Sequence, residues 1–213
     1  MPDADLTLMS WFSPAYPVGA FAYSQGLETA TAEGHVNDLE TTRAWIADAL
    51  TTGAAQADAV LLARAHDAAD AVALQALSDL ALALSPSPAR AAETRDQGRA
   101  FAATTAAVHG TEATPRPYPV AIGAAARALG LARDATVLRF LYSVAANLTS
   151  AAQRLVPLGQ AQAQVMLADL HCLVRRAAAR VEATPIEDLG VASLAADLDA
   201  LRHERLATRL FRS

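Results

Sequence analysis

The chain is 213 residues long, 53% apolar and carries a formal net charge of −5. That length suffices for one domain with a sizeable core, and the charge argues against nucleic acid or an anionic membrane surface as partner, since both need dense positive charge. All seventeen basic residues are arginine, which rules out a lysine Schiff base or a P-loop lysine, and the single Cys172 permits no internal disulfide and fits a reducing cytoplasm.

Residues 6–27 contain no charged side chain and hold five of the eleven aromatics: Trp11, Phe12, Tyr16, Phe21 and Tyr23. The length would suit a membrane span, but Pro14, Pro17 and Gly19 break any continuous helix, and lipid would leave the freed backbone groups unsatisfied. The run is expected to form a short helix, a rigid Pro/Gly corner and the start of a second helix. MPDAD is acidic where a signal peptide would be basic, so no leader is expected.

The chain beyond reads as helical throughout. Asn37 with Glu40 predicts a capping box, followed by a helix to Gly53. Further helices are expected at 54–69, after Asp70 with Leu74, Leu77, Leu80, Ala81 and Leu84 on one stripe, and from Ser87-Pro88 to about His109. Gly98 interrupts the last of these, at about 1 kcal/mol against alanine, so a close helix contact is expected there. A surface loop at 111–117 precedes a helix from Pro119 to Leu129 closed by Gly130. Asp134 is expected to cap a helix to Leu155. Pro157 and Gly159 break the chain before a helix over 160–181 and a linker at 184–190. A final amphipathic segment is expected to dock through Leu194, Leu198 and Leu201. The fold expected is all-α: one domain of about eight to ten helices over 1–190, and a partner-binding tail at 191–213.

No catalytic, cofactor or metal site is expected. The histidines at 35, 66, 109, 171 and 203 do not pair at helical spacing, and adjacent His171 and Cys172 diverge by about 100°. The sequence has no Gly-rich phosphate loop, G-x-S-x-G, H-E-x-x-H or C-x-x-C.

Residues 12–28, FSPAYPVGAFAYSQGLE, resemble the hallmark LSPAxPVGAFxYSQGLE of the UreF family of urease accessory proteins, with Phe12 in place of the leading Leu. Tyr118-Pro119-Val120 with Leu129-Gly130, Asn147 with Val156-Pro157-Leu158-Gly159-Gln160, and Arg202-His203-Glu204 with the terminal TRLFRS are similar in the same order; 31–110 match only in pattern. The resemblance implies a non-catalytic chaperone and all-α homodimer that binds UreD (UreH in some organisms) and the GTPase UreG for nickel delivery to apo-urease. Two other functions stay open: a small-molecule-binding helical protein with the aromatic turn lining its pocket, and direct nickel carriage through His and Cys172.

Trp11, Phe12 and Leu27 are assigned to the core. Tyr16, Phe21 and Tyr23 divide between core and partner, because aromatics on a rigid turn make good interface anchors. Arg139 and Tyr142, three residues apart on a helix, share a face available to a GTPase. In the tail, Arg202, His203, Glu204, Arg205, Arg209, Leu210, Phe211 and Arg212 are expected to order on a partner, which the resemblance identifies as UreD. Pro14, Pro17, Gly19, Gly26, Pro157 and Gly159 are assigned to shaping the backbone.

Overall fold

A computed structural model describes residues 3–189 and 193–212. The described residues form α-helices and short 3-10 turns, with no strand among them. In chain order the helices are α1 (Ala4–Trp11), α2 (Leu27–Ala32), α3 (Leu39–Thr51), α4 (Ala54–Asp67), α5 (Ala71–Ala83), α6 (Pro88–His109), α7 (Tyr118–Ala128), α8 (Arg133–Leu155), α9 (Gln160–Asp169), α10 (His171–Ala183) and α11 (Leu194–Arg202). The all-α fold expected from the sequence is the fold observed. None of the described helices is long and apolar enough to cross a membrane. The expected 190/191 division between domain and tail falls outside the described residues.

Local signals set most helix ends. Asp70 and Ser87 cap α5 and α6 through their side-chain oxygens, and Pro88 occupies the first turn, where its missing N–H has no partner to lose. Three boundaries differ from expectation. The α3 cap is Asp38, whose carboxylate accepts from Thr41 N (2.8 Å) while Thr41 Oγ1 accepts from Asp38 N (3.1 Å); the box lies one residue after Asn37 and does not use Glu40. Helix α8 begins at Arg133 from an Ala132 cap, which places Asp134 inside the first turn, where its charge complements the helix dipole. The helix expected over 160–181 is two, parted at Leu170, whose ψ of −11° opens the ladder while Met166, Leu170, Val174 and Ala177 all stay buried.

The central helix is α4, which packs most extensively on α7 and also meets α3, α5, α8 and α10. Gly123 of α7 lies directly against the α4 backbone, where an added Cβ would stand 2.3 Å from the Leu62 carbonyl oxygen. Gly98 also marks a close approach, but to a loop and not a helix: its Cβ would fall 1.9 Å from the Arg116 carbonyl. Trp11 meets the Phe101 ring edge-on at 4.9 Å, and Tyr118 bridges Phe101 (5.9 Å) and Phe140 (6.3 Å). This aromatic layer fixes the 12–26 corner against α6, α7 and α8.

Helix α11 docks on α2, and here the hydrophobic pattern misleads. Leu198 and Leu201 face outward, whereas Asp199, Ala200 and His203 are buried. The side chain of Leu194, expected on the same docking face, lies outside the described part of the structure. Gly26, in the left-handed region at φ +88°, lets α11 approach until an added Cβ would be 3.0 Å from Ala200 N.

Candidate docking surface

The 12–26 corner is built from its prolines and glycines. Pro14 and Pro17 offer no N–H, the remaining amides close short turns (Tyr16 N to Ser13 O, 3.0 Å; Val18 N to Tyr16 O, 2.8 Å), and Gly19 turns the chain at φ +73° into a 3-10 turn over Ala20–Ala22. Tyr16 and Tyr23 point inward. Tyr16 Oη shares a hydrogen bond with Thr105 Oγ1 (2.7 Å), and burial pushes both phenols above their ordinary pKa. Phe21 points outward, 74% exposed.

A buried ionic network supports the corner from beneath. Arg90 reaches Asp58 at 2.5 Å and Glu93 at 3.1 Å, and Gln25 and Gln97 both donate to Glu93 Oε1 at 3.3 Å. Gln25 is the one described non-glycine residue at positive φ (+54°), and its side chain is tied into this network. The adjoining cavity, about 40 Å³, has room for one or a few waters and is far below the size of a ligand pocket.

The C-terminal segment packs against its own domain. His203, fully buried, hydrogen-bonds through Nε2 to Glu28 Oε2 (2.8 Å), and the backbone amides of Leu210 and Phe211 donate to Glu28 Oε1 (2.6 Å) and Oε2 (3.1 Å). The Phe211 ring, 4% exposed, completes a cluster with Leu27, Ala30, Val36 and Val156, and the Arg154 guanidinium sits 4.3 Å above it. His203 and Phe211, expected among the partner contacts, are instead buried against the chain's own helices: one carboxylate accepts from three donors, two of them on buried residues that would otherwise be left unpaired. Arg202 pairs with Glu33 at 2.8 Å, while Glu204, Arg205, Arg209, Leu210 and Arg212 remain exposed.

Burial would raise the Glu28 pKa, but the hydrogen bonds from Leu210 N, His203 and Phe211 N outweigh it and hold the carboxyl below its ordinary value. A folded-state value below the unfolded one means that the clasp contributes stability above the ordinary glutamate range and loses it as pH falls through the folded-state value. The segment is expected to stay docked at neutral pH and to release in acid. Trp45, packed against the Phe211 cluster, reports this as an emission shift that Glu28→Ala shows already at neutral pH. Identical acid profiles for the two proteins would contradict it.

Corner and tail form one surface. Arg212 N donates to Ala22 O (2.8 Å), its guanidinium lies 5.8 Å from the Tyr23 ring centre, and Arg154 donates to Phe21 O (3.2 Å). Exposed Phe21 is thus flanked by Arg154 and by Arg212, which also faces Asp96 at 3.9 Å, and exposed Leu210 and Arg209 precede Arg212 in the same docked segment. The same α8 face continues from Arg154 back to Arg139, roughly 22 Å at 1.5 Å per residue. Arg139 there pairs with Asp5 (2.6 Å), and the Tyr142 ring lies tilted against His171 at 5.7 Å with much of its surface in solvent. The fifteen residues from Arg139 to Arg154 separate these two groups, so the structure does not gather Arg139 and Tyr142 with Phe21. Tyr16 and Tyr23, as buried residues, leave the set of candidate contacts.

Pro157 and Gly159 form the turn between α8 and α9, where Gly159 N donates to Gln162 Oε1 (3.0 Å) and φ is negative, so no special glycine conformation is required. His66 Nε2 bonds the Leu131 carbonyl (2.9 Å), His109 packs beside Trp11, and Cys172 is exposed on α10, so His171 and Cys172 form no joint site with the other histidines.

Comparison with known proteins places this architecture. The UreF family model matches residues 36–171. Urease accessory proteins UreF from two strains of Cereibacter sphaeroides are 51% and 50% identical over the full length of both chains. The UreF of Dinoroseobacter shibae is 44% identical, again over the whole of each chain.

Proposed function

The chain belongs to the UreF family of urease accessory proteins, and on that premise we propose that it is a non-catalytic adaptor that joins UreD (or UreH) and the GTPase UreG for GTP-dependent nickel insertion into apo-urease, acting as a cytoplasmic homodimer. The observation that carries this reading is the junction of corner and tail. Two segments whose residues suit protein contacts are hydrogen-bonded and stacked on each other, so a partner held by one alters the surface offered to the other. In this reading UreD meets the exposed tail residues Arg205, Arg209, Leu210 and Arg212. The GTPase meets Phe21 and the α8 face carrying Arg139 and Tyr142.

The geometry speaks against a small-molecule site lined by the aromatic corner. The cavities that the aromatic corner lines hold only about 40 Å³ each, against the several hundred a ligand pocket needs.

Phe21 and Leu210, at 74% and 54% exposure, permit a test that leaves the fold intact. Leu210→Glu is expected to abolish co-purification with UreD, and Phe21→Ala to lower UreG recruitment at least tenfold. Surface changes of this kind alter stability by no more than about 0.5 kcal/mol, so both melting temperatures should stay within about 2 °C of wild type. Full binding of both partners by both variants would refute the assignment.

A further inference from the structure

Among the described residues, one group of side chains has the composition and spacing of a metal site: Glu33 and His35 just past the end of α2, and Asp199 on α11. Their nearest donor atoms all lie within 4.8 Å of one another, with His35 Nδ1 3.7 Å from Asp199 Oδ2 and His35 Nε2 4.0 Å from Glu33 Oε2. Carboxylates and a histidine meeting at a surface would carry no argument alone. Asp199, however, is 98% buried, and its Oδ2 has no hydrogen-bond partner. A buried carboxylate oxygen without a hydrogen bond is disfavoured; the imidazole 3.7 Å away stands beyond hydrogen-bond distance, and an ion held between the two would supply the missing partner.

We propose that Glu33, His35 and Asp199 bind a borderline divalent cation of the Co²⁺–Ni²⁺–Zn²⁺ type, which staples the C-terminal segment to α2. One imidazole and two carboxylates form an N/O donor set suited to these ions and less so to Mg²⁺, which prefers oxygen alone. Zinc-type bonds of about 2.0–2.2 Å require the donors to close to roughly 3.3 Å. The half-exposed His35 and Glu33 side chains are free to make that movement while Asp199 stays fixed. The Arg202 guanidinium, 2.8 Å from Glu33 and 4.0 Å from Asp199, occupies the same negative field, and its exposed side chain can leave as the ion enters. The two halves of the site lie on elements 164 residues apart, so occupancy ties α11 down beside the Glu28 clasp.

The test is isothermal titration of the full-length chain with Zn²⁺, Ni²⁺ and Mg²⁺ in a Cys172→Ser background, which removes the exposed thiol as a competing ligand, with trypsin cleavage after Arg205 and Arg209 as a second readout. One Zn²⁺ or Ni²⁺ per chain is expected, in strong preference to Mg²⁺. His35→Ala, at an exposed position, is expected to weaken binding at least tenfold, as is the near-isosteric Asp199→Asn. Metal should slow cleavage of the segment in the parent but not in His35→Ala. Absence of saturable binding in the Cys172→Ser background, unchanged affinity in His35→Ala, or metal with no effect on cleavage would each overturn the proposal.

Discussion

Replacing Glu28 by alanine is expected to release the C-terminal segment while the helical domain stays folded. The carboxylate accepts from His203 Nε2 and from the amides of Leu210 and Phe211, and two of these donors belong to buried residues. A buried donor left unpaired costs about 1–3 kcal/mol, and bonds to a charged acceptor lie toward the upper end. Burying the Phe211 ring returns about 1.5–3 kcal/mol. Loss of three bonds outweighs one ring, so the segment should leave for water. Docking should weaken by about 3 kcal/mol, a hundredfold or greater fall in amide-exchange protection over 203–212. Glu28→Gln is expected to rescue little, because its amide presents N–H groups to a site made of donors. Unchanged protection in Glu28→Ala would show that the apolar contacts alone hold the segment.

The second large effect is expected at Gly123. An alanine Cβ there would lie 2.3 Å from Leu62 O, 2.8 Å from Ala65 Cβ and 2.9 Å from His66 N, all of them backbone atoms or the fixed Cβ of α4. No side-chain rotation relieves such contacts, so α7 must move away from the helix at the centre of the core. Overpacking typically costs 1–3 kcal/mol, occasionally more, and a clash with backbone belongs at the upper end. Gly123→Ala should lose about 3 kcal/mol and lower the melting temperature by roughly 6–12 °C. Gly34 serves as the comparison, since an added Cβ there meets nothing within 4 Å and only its φ of +80° opposes substitution. Equal melting temperatures for Gly123→Ala and Gly34→Ala would contradict the close α4–α7 approach.

Features fixed by neighbouring residues were legible in the sequence. Asp70, Ser87-Pro88, Gly53 and Gly130 mark helix ends through caps and turns of a few residues, and the prolines and glycines of 14–26 dictate the corner. Features fixed at a distance were not. The break at Leu170 carries no proline or glycine and arises where both halves must keep the core side of a single stripe. Helix α11 inverts its apparent amphipathicity because the partners of His203 and Asp199 lie near residues 28 and 35, far away in the chain. The tail's composition of arginine and apolar residues suggested an unpartnered segment. Its buried partner was Glu28, within the recognisable hallmark itself. The Glu33–His35–Asp199 group was hidden for the same reason: its third side chain comes from a helix distant in the sequence.

In the proposed function one chain presents adjoining surfaces to two different partners. Sedimentation of the full-length protein with purified UreD and UreG, singly and together with GTP and Mg²⁺, tests it most directly. One complex holding all three proteins is expected, with UreG retained only weakly by the Phe21→Ala variant and UreD lost by the Leu210→Glu variant. Three species that sediment independently at micromolar concentration, or a complex of UreD and UreG that forms equally well without this chain, would contradict it.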